Sequence, residues 1–342
     1  MKKHLLLLSL VIVANGCINE MENSEIPENE LGQVKLDDGL LKFKTVLDYE
    51  RALEIKENVQ DFYSMASLLA ESGVPGSEGY RVLEENGVLS DFQDSYLLEL
   101  LDPNGMIMID KYLIKLDFFS QTAYVTDNFE KRQAMIDEEY SDSDILTYSF
   151  EEELLEILFG SVVDYENNIK TFEERARILS CPGSYPPGST FPPMIFNSNC
   201  DSRKCEWVSI YPEAGWEYKA EAMHAYQAAA IYFRLKTEIA HFKRNTTTSG
   251  GWSSEPDPNM NIVYWGNFTP KNRSTVTLSG CYDSCQGCTP PPANREKVQK
   301  IHHEAGRRLT SYNLYGIFDV HLGGNHAASG YPEVFQLINI QE

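Results

Sequence analysis

Two histidines near the C-terminus, His321 and His326, lie on either side of the glycine-containing loop 322–325. Imidazole nitrogens and carboxylate oxygens are common ligands of zinc and other transition metals, and a flexible loop can wrap around an ion. Asp319, two residues before His321, could supply a third ligand. Surface histidines without a ligand role are more common than metal sites, so an ordinary loop is the competing interpretation. Apart from this candidate metal site, we expect no cofactor.

Three cysteines, Cys281, Cys285 and Cys288, have the spacing C-x3-C-x2-C. This spacing resembles that of radical S-adenosylmethionine enzymes, in which three thiolates hold a four-iron cluster. The context argues against a cluster, because the motif comes late in the chain and Gly287 stands where an aromatic residue is usual. Zinc and a disulfide network are the alternatives, and we favour disulfides because six cysteines, an even number, follow Cys17. These six are Cys181, Cys200, Cys205, Cys281, Cys285 and Cys288.

The segment from His303 to Arg307 begins like the metal-binding helix of a zinc protease. Arg307 occupies the position where the second histidine ligand must follow, one helical turn after the first, so the motif is incomplete. The sequence contains no nucleophile elbow, phosphate-binding glycine loop or dinucleotide fingerprint. We therefore predict no catalytic residues. A secreted hydrolase that acts on glycans or peptides through an unrecognised site remains the alternative function.

All four tryptophans lie in the C-terminal part of the chain, at Trp207, Trp216, Trp252 and Trp265. Trp252 is surrounded by glycines and serines, a setting typical of an exposed loop rather than a core. An exposed indole ring can stack on a sugar ring, whereas ordinary packing is the competing interpretation. Trp252 and Trp265 are accordingly the candidate ligand-binding residues.

The charge of the chain restricts its partners. It carries 51 acidic and 29 basic side chains, a formal net charge of −22. Such a protein repels polyanions, and no basic stripe or aromatic RNA-binding motif is present. We therefore exclude nucleic acid and expect a glycan or a protein as the ligand.

The first sixteen residues have the features of an export signal. Lys2 and Lys3 precede an apolar run from Leu5 to Ala14, which is too short to cross a bilayer. The junction that ends in Asn15, Gly16 and Cys17 resembles the lipobox of bacterial lipoproteins, in which the cysteine becomes the lipidated N-terminus. The sequence departs from that pattern at Ala14 and Asn15, and a plain secretory cut is the alternative. We predict a signal peptide over residues 1–16 and lipidation of Cys17, which makes the membrane a partner.

Residues 17–35 carry five glutamates between positions 20 and 30 and have no periodic apolar pattern. A segment of this composition cannot bury enough surface to fold, so we predict a flexible acidic tether. An acidic stretch after the lipidated cysteine resembles the segment that Bacteroidetes-type lipoproteins use for display on the outer face of the outer membrane. The expected location is therefore the cell surface.

Residues 36–180 are predicted to form an N-terminal helical domain with a small antiparallel sheet. Thr45 and Asp48 fit a capping box, and apolar residues from 55 to 69 recur at helical spacing until Gly73, which predicts one helix. The turn 102–105 leads into alternating apolar residues, so we predict strands between residues 106 and 126. A second capping box at Ser149 and Glu152 predicts a short helix that Gly160 closes.

A connector rich in proline and cysteine is predicted over residues 181–212, followed by a β-rich domain over residues 213–342. Alternating apolar residues at 231–239 and 312–320 predict strands of an antiparallel sandwich. The alanine-rich run 220–230 could instead be helical. The predicted fold class is thus α+β, with a disulfide-braced, sandwich-like C-terminal part.

Phe43 with its following helix, the turn 102–105 and Ile114-Lys115-Leu116 together resemble uncharacterised Bacteroidetes-type lipoproteins over residues 36–160. This resemblance implies no activity and no catalytic residue. From export, aromatic loops and missing catalytic motifs, we expect a lipid-anchored binding or interaction protein of the cell surface.

Overall fold

The computed structural model describes residues 34–56, 59, 61–72, 92–160, 198–200, 203–213, 215–248, 250–256, 260–283, 296–319 and 336–341. The described residues are mostly β, with 49% in strands, 18% in helices, five short helices and three sheets among them. The predicted α+β class with a helical N-terminal part is therefore wrong. Cys17 and its flanking segments lie outside the described residues.

The N-terminal part is built on a six-stranded sheet in the order β1-β2-β3-β4-β5-β6. Its strands are β1 Val34–Asp37, β2 Leu40–Phe43, β3 Met106–Ile109, β4 Tyr112–Asp117, β5 Thr122–Thr126 and β6 Leu146–Ser149. The predicted sheet over residues 106–126 supplies three of these strands. Pairing is antiparallel except between β2 and β3, which are parallel. The helices of the described N-terminal residues pack on this sheet and do not form the framework of the domain. The prediction of a helical domain is therefore wrong.

Helix α1, Val46–Ile55, begins at the predicted capping box, where Asp48 N donates to Thr45 Oγ1 at 3.1 Å. It ends at Lys56, whose backbone is left-handed with φ 57°. The single helix predicted as far as Gly73 is therefore two, and α2 spans Met65–Ser72. Apolar residues at helical spacing still pack on the same core after the break, so the periodicity was real although the helix was not continuous.

The remaining helices are α3 Leu97–Leu100, α4 Arg132–Ile136 and α5 Leu154–Phe159. The predicted turn follows α3, and there Asp102 Oδ1 accepts from Met106 N at 2.8 Å. Gly105 in this turn has φ 76°, a conformation that glycine adopts without strain. No helix in the described ranges is long and apolar enough to cross a membrane.

Two further sheets form the C-terminal part. The first has the order β11-β10-β9-β8-β7, with β14 also paired to β10, and the second has the order β13-β12-β15-β16. The strands of the first are β7 Ser198–Cys200, β8 Lys204–Glu213, β9 Trp216–Ala228, β10 Phe233–Asn245, β11 Ser253–Ser254 and β14 Lys297–Ala305. Those of the second are β12 Asn261–Pro270, β13 Val276–Asp283, β15 Leu309–Asp319 and β16 Gln336–Gln341. The alanine-rich run is thus mainly strand.

The two C-terminal sheets pack face to face. Phe233, Leu235 and Ile239 of β10 share one buried cluster with Ile262, Phe268 and Leu314 of the second sheet. The turn between β9 and β10 belongs instead to the N-terminal core, because residues 229–232 are buried there. Tyr49 OH donates to Ile231 O at 3.1 Å, and Leu154 N donates to Ala230 O at 3.0 Å. The N- and C-terminal parts therefore share a core.

No disulfide joins two of the side chains that the structure describes, so the predicted bracing by six paired cysteines is not found among them. Cys205 is buried and disulfide-bonded, and its partner lies outside the described side chains. By backbone register it stands opposite Cys200 across β7 and β8. Cys281 lies on β13, whereas Cys181, Cys285 and Cys288 are outside the described residues.

Candidate functional site

The outer face of the second C-terminal sheet carries an aromatic pair, Trp265 and Tyr315. Ile262 and Phe268 on the inner face of β12 belong to the core, and strand alternation turns Trp265 the other way. Trp265 stands directly opposite Tyr315 of β15. The two ring centroids are 5.7 Å apart and the ring planes differ by 7°, so the rings are stacked.

Both rings of the aromatic pair are only partly buried. On the other side of Trp265, the residue opposite it on β13 is Ser279, which is small and exposed. Partly exposed aromatic rings on neighbouring strands form a surface on which an apolar ring face can lie.

Gly266, next to Trp265, allows the two strands to approach closely. Its backbone has φ 140°, which disfavours other residues, and a Cβ atom there would lie 1.9 Å from Asn313 O. Glycine is therefore required at this position, and it keeps β12 against β15 where the aromatic pair meets.

The second predicted ligand-binding residue, Trp252, lies beside the first C-terminal sheet, away from Trp265. Lys219 Nζ is 4.8 Å and the Arg244 guanidinium carbon 4.6 Å from the centre of a Trp252 ring. These are cation–π contacts. The structure therefore does not bring Trp252 and Trp265 together in one site, and Trp252 already contacts two cations of the protein.

The predicted metal residues cannot be assembled from the described residues. Asp319 ends β15, but its side chain is not described, and His321 and His326 lie outside the described residues. Within the described ranges, no three histidine, cysteine or acidic residues form a group that could hold a metal. His303, from the incomplete protease motif, lies on strand β14, and its Nε2 bonds Arg307 O at 2.8 Å.

A cleft of about 800 Å³ opens between α5 and the ends of β12 and β15. We call it the glutamate cleft, and its lining residues are Glu151, Glu152, Glu153, Glu156, Ile157, Lys271, Arg308 and Thr310. Clefts of this size, at the junction of two parts of a chain, are common ligand sites. The sequence signal for it was the glutamate run, which alone is ordinary for a helix start.

Lys271 is the central charge of the glutamate cleft. Its Nζ lies 3.1 Å from Glu153 Oε2 and also bonds Glu156. Burial raises the pKa of Glu153, whereas the hydrogen bond from Lys271 lowers the pKa of Glu156. The hydrogen bond with Glu156 in turn raises the pKa of Lys271. The two carboxyl groups, three residues apart, thus have pKa values shifted in opposite directions.

A cluster of paired charges joins the N-terminal part to the first C-terminal sheet. Asp94 Oδ1 accepts from Arg234 Nη1 at 2.8 Å, and Lys297 Nζ donates to Asp94 Oδ2 at 2.9 Å. Lys236, which is buried, lies 3.0 Å from Glu238 Oε2. Each of these charges has a partner of opposite sign, although Nε and Nη2 of Arg234 are buried without a hydrogen bond, and we assign the cluster a structural role.

Comparisons with known proteins add little to this geometry. No protein-family profile matches the chain, and no curated protein matches it. Among solved structures, a DUF4848 family protein from Bacteroides thetaiotaomicron is 10% identical, with 91% of this chain and 100% of that chain covered and a TM-score of 0.20. A TM-score this low does not establish a shared fold.

Proposed function

We propose that this chain is an exported, lipid-anchored binding protein that takes a neutral carbohydrate on the aromatic pair. The observation that carries the proposal is the stacked, partly exposed arrangement of Trp265 and Tyr315 on the outer face of a sheet. A sugar ring has an apolar C–H face that can lie on an aromatic ring, and its hydroxyl groups can bond neighbouring polar side chains.

The charge of the protein supports a neutral ligand. At a formal net charge of −22, the protein repels acidic polysaccharides and nucleic acids at long range. Affinity must therefore come from aromatic contact and hydrogen bonding rather than from charge.

The proposed location rests on the N-terminal sequence. The apolar run ends at Ala14, three residues before Cys17, and the predicted acidic tether follows that cysteine. A lipid on Cys17 would hold the folded part near the outer membrane, with the cell surface as the working position. In this arrangement the aromatic pair meets ligands outside the cell.

A hydrolase is the second candidate function, and the glutamate cleft is the observation that favours it. Opposite pKa shifts of Glu153 and Glu156 are the arrangement that general acid and base catalysis uses. Lys271, however, contacts both carboxylates and occupies the position that a reacting group would need. We therefore keep binding as the proposed function.

A glycan array probed with the full-length protein in detergent tests the proposal. We expect signals on neutral glycans that are lost in Trp265→Ala and kept in Trp216→Ala, which removes a tryptophan of the other C-terminal sheet. Binding only to acidic glycans, or equal binding by both variants, would contradict the proposal.

A further inference from the structure

Polar side chains continue the outer face of β12 and β15 beyond the aromatic pair. Two residues further along each strand, Asn267 stands opposite Asn313, and two residues beyond these, Thr269 stands opposite Ser311. Strand alternation places these four side chains on the same face as Trp265. All four side chains are partly exposed, although the Oδ1 atom of Asn313 is itself buried and makes no hydrogen bond. Beyond the aromatic rings, the two strands therefore present first a pair of amide groups and then a pair of hydroxyl groups.

A bulge at the end of this strand pair adds to these polar groups. The register shifts between Thr269 and Pro270, so that Ser311 pairs with Thr269 while Leu309 pairs with Pro270. Leu309 is buried, whereas Thr310 between them is exposed and donates from Oγ1 to Thr269 O at 3.1 Å. Bulges commonly re-aim a side chain beside a functional site. Here the bulge turns Thr310 outward, into the lining of the glutamate cleft.

The aromatic pair and the glutamate cleft are therefore the two ends of one polar track, which we define as Asn267, Asn313, Thr269, Ser311 and Thr310. From Trp265 to Pro270 the chain advances five strand residues, or about 17 Å. A single sugar ring on Trp265 cannot reach the cleft, whereas a chain of several sugar units can.

The lining of the glutamate cleft suits hydroxyl groups better than a simple ion. Arg308 and Lys271 are hydrogen-bond donors, and the carboxylates of Glu152 and Glu156 are acceptors. Lys271 already pairs with Glu153 and Glu156, and Glu152 Oε2 accepts from Ser149 N, so a ligand would use the remaining donor and acceptor positions of these groups. A hydroxyl group both donates and accepts, so neighbouring hydroxyls of one sugar can bond both kinds of group. Lys271 would repel a simple cation, and the glutamates would repel a simple anion.

We infer that the ligand is a neutral oligosaccharide of several units, which stacks on the aromatic pair, follows the polar track and ends in the glutamate cleft. The inference rests on the proposed function, because it assigns a second subsite to the same ligand. It also assigns Arg308 as a residue that determines the preferred chain length.

Calorimetric titration of the full-length protein in detergent tests this inference. The probes are glucose-, mannose-, xylose- and N-acetylglucosamine-based saccharides of one, three and six units. For the series that binds, we expect the six-unit chain to bind at least tenfold more tightly than the single unit. Arg308→Ala should abolish that gain and leave the affinity for the single unit unchanged. Lys35→Ala, which removes an equal charge from exposed β1, should keep the gain.

The outcomes separate the two proposals. If Trp265→Ala abolishes binding but affinity does not rise with chain length, or Arg308→Ala keeps the rise, the track is wrong and carbohydrate binding stands. If no saccharide of any length binds, both are wrong. Thr310→Val, which removes a hydroxyl group at nearly constant volume, gives a second test in case Arg308→Ala alters the fold.

Discussion

Trp265 and Tyr315 lie directly opposite one another on β12 and β15, with ring planes 7° apart and centroids separated by 5.7 Å. Fifty positions of sequence separate them, and the sheet makes them neighbours. Both rings remain partly exposed, although the inner faces of the same strands form a core. This pair is the basis of the proposed carbohydrate binding.

Gly266→Ala should destabilise the second C-terminal sheet. The new Cβ atom would lie 1.9 Å from Asn313 O, and φ 140° would be strained for alanine. We expect a loss of about 2 to 3 kcal/mol in the free energy of unfolding, measured by urea denaturation. Gly251→Ala is the control, since a Cβ there has no atom within 4 Å. If Gly266→Ala and Gly251→Ala were equally stable, β12 and β15 would not approach one another at Gly266 as closely as described.

Asp94→Asn should loosen the N-terminal part from the first C-terminal sheet. Burial alone would raise the pKa of Asp94, but Lys236 and Arg234 lower it well below its usual range. Removing the charge takes from the fully buried Arg234 the nearer of its two carboxylate partners and leaves only Glu304 Oε1, 3.9 Å from Arg234 Nε, at a cost of about 3 kcal/mol. Thermal unfolding measures this effect. Asp37→Asn, which breaks an exposed pair with Lys42, should hardly change the melting temperature.

We expect the protein to lose stability as the pH falls, already at pH values well above those at which most carboxylates become protonated. Burial lowers the pKa of His302 to about 3 and that of His303 to about 4. In the unfolded chain both protonate near pH 6.5, so their stabilising effect is complete above that pH and is lost as pH falls from about 6.5 to about 4. We expect a loss of about 2 to 4 kcal/mol between pH 7 and pH 4.5 in urea unfolding experiments.

His302→Gln provides the control for this acid effect, because glutamine can replace the contact of His302 Nε2 with Thr237 Oγ1 and does not titrate. The slope of stability against pH should then become smaller. Burial raises the pKa of Glu50 and Glu153, so these groups act in the opposite sense at low pH and offset part of the loss. If the dependence of stability on pH were the same in His302→Gln as in the wild type, His302 would not be a source of the acid effect.

Cys17→Ser should release the protein from the membrane. The motivation is the position of Cys17 shortly after the apolar run that is predicted to be an export signal. We expect the variant in the soluble exported fraction and a lipid on the N-terminal peptide of the wild type by mass spectrometry. Unchanged fractionation together with an unmodified wild-type peptide would refute the anchor.

Local signals in the sequence were reliable, whereas long-range ones were not. The capping box at Thr45 and the turn at Asp102 are confirmed, because each depends on neighbouring residues. The break at Lys56 was not visible, since the apolar spacing continues beyond it to pack on the same core. The parallel pairing of β2 with β3 joins residues more than sixty positions apart, and no local pattern indicates it.

The candidate site was partly visible in the sequence. The residue type of Trp265 indicates it as a candidate, whereas the sequence analysis does not predict Tyr315 as its partner. Tyr315 occupies the polar face of an alternating strand, and an aromatic residue there was the available signal. The glutamate cleft could not be predicted, because Lys271 and Arg308 reach α5 only through the tertiary fold.

The most direct test of the central claim is a calorimetric titration of wild type and Trp265→Ala with the neutral oligosaccharide that binds best. Loss of a central aromatic contact typically costs about 1 to 3 kcal/mol of binding free energy, and we expect a weakening in that range. The melting temperature should change little, because Trp265 lies on the outer face of its sheet. Unchanged affinity in Trp265→Ala would contradict the account, as would a large fall in melting temperature, which would identify Trp265 as a packing residue.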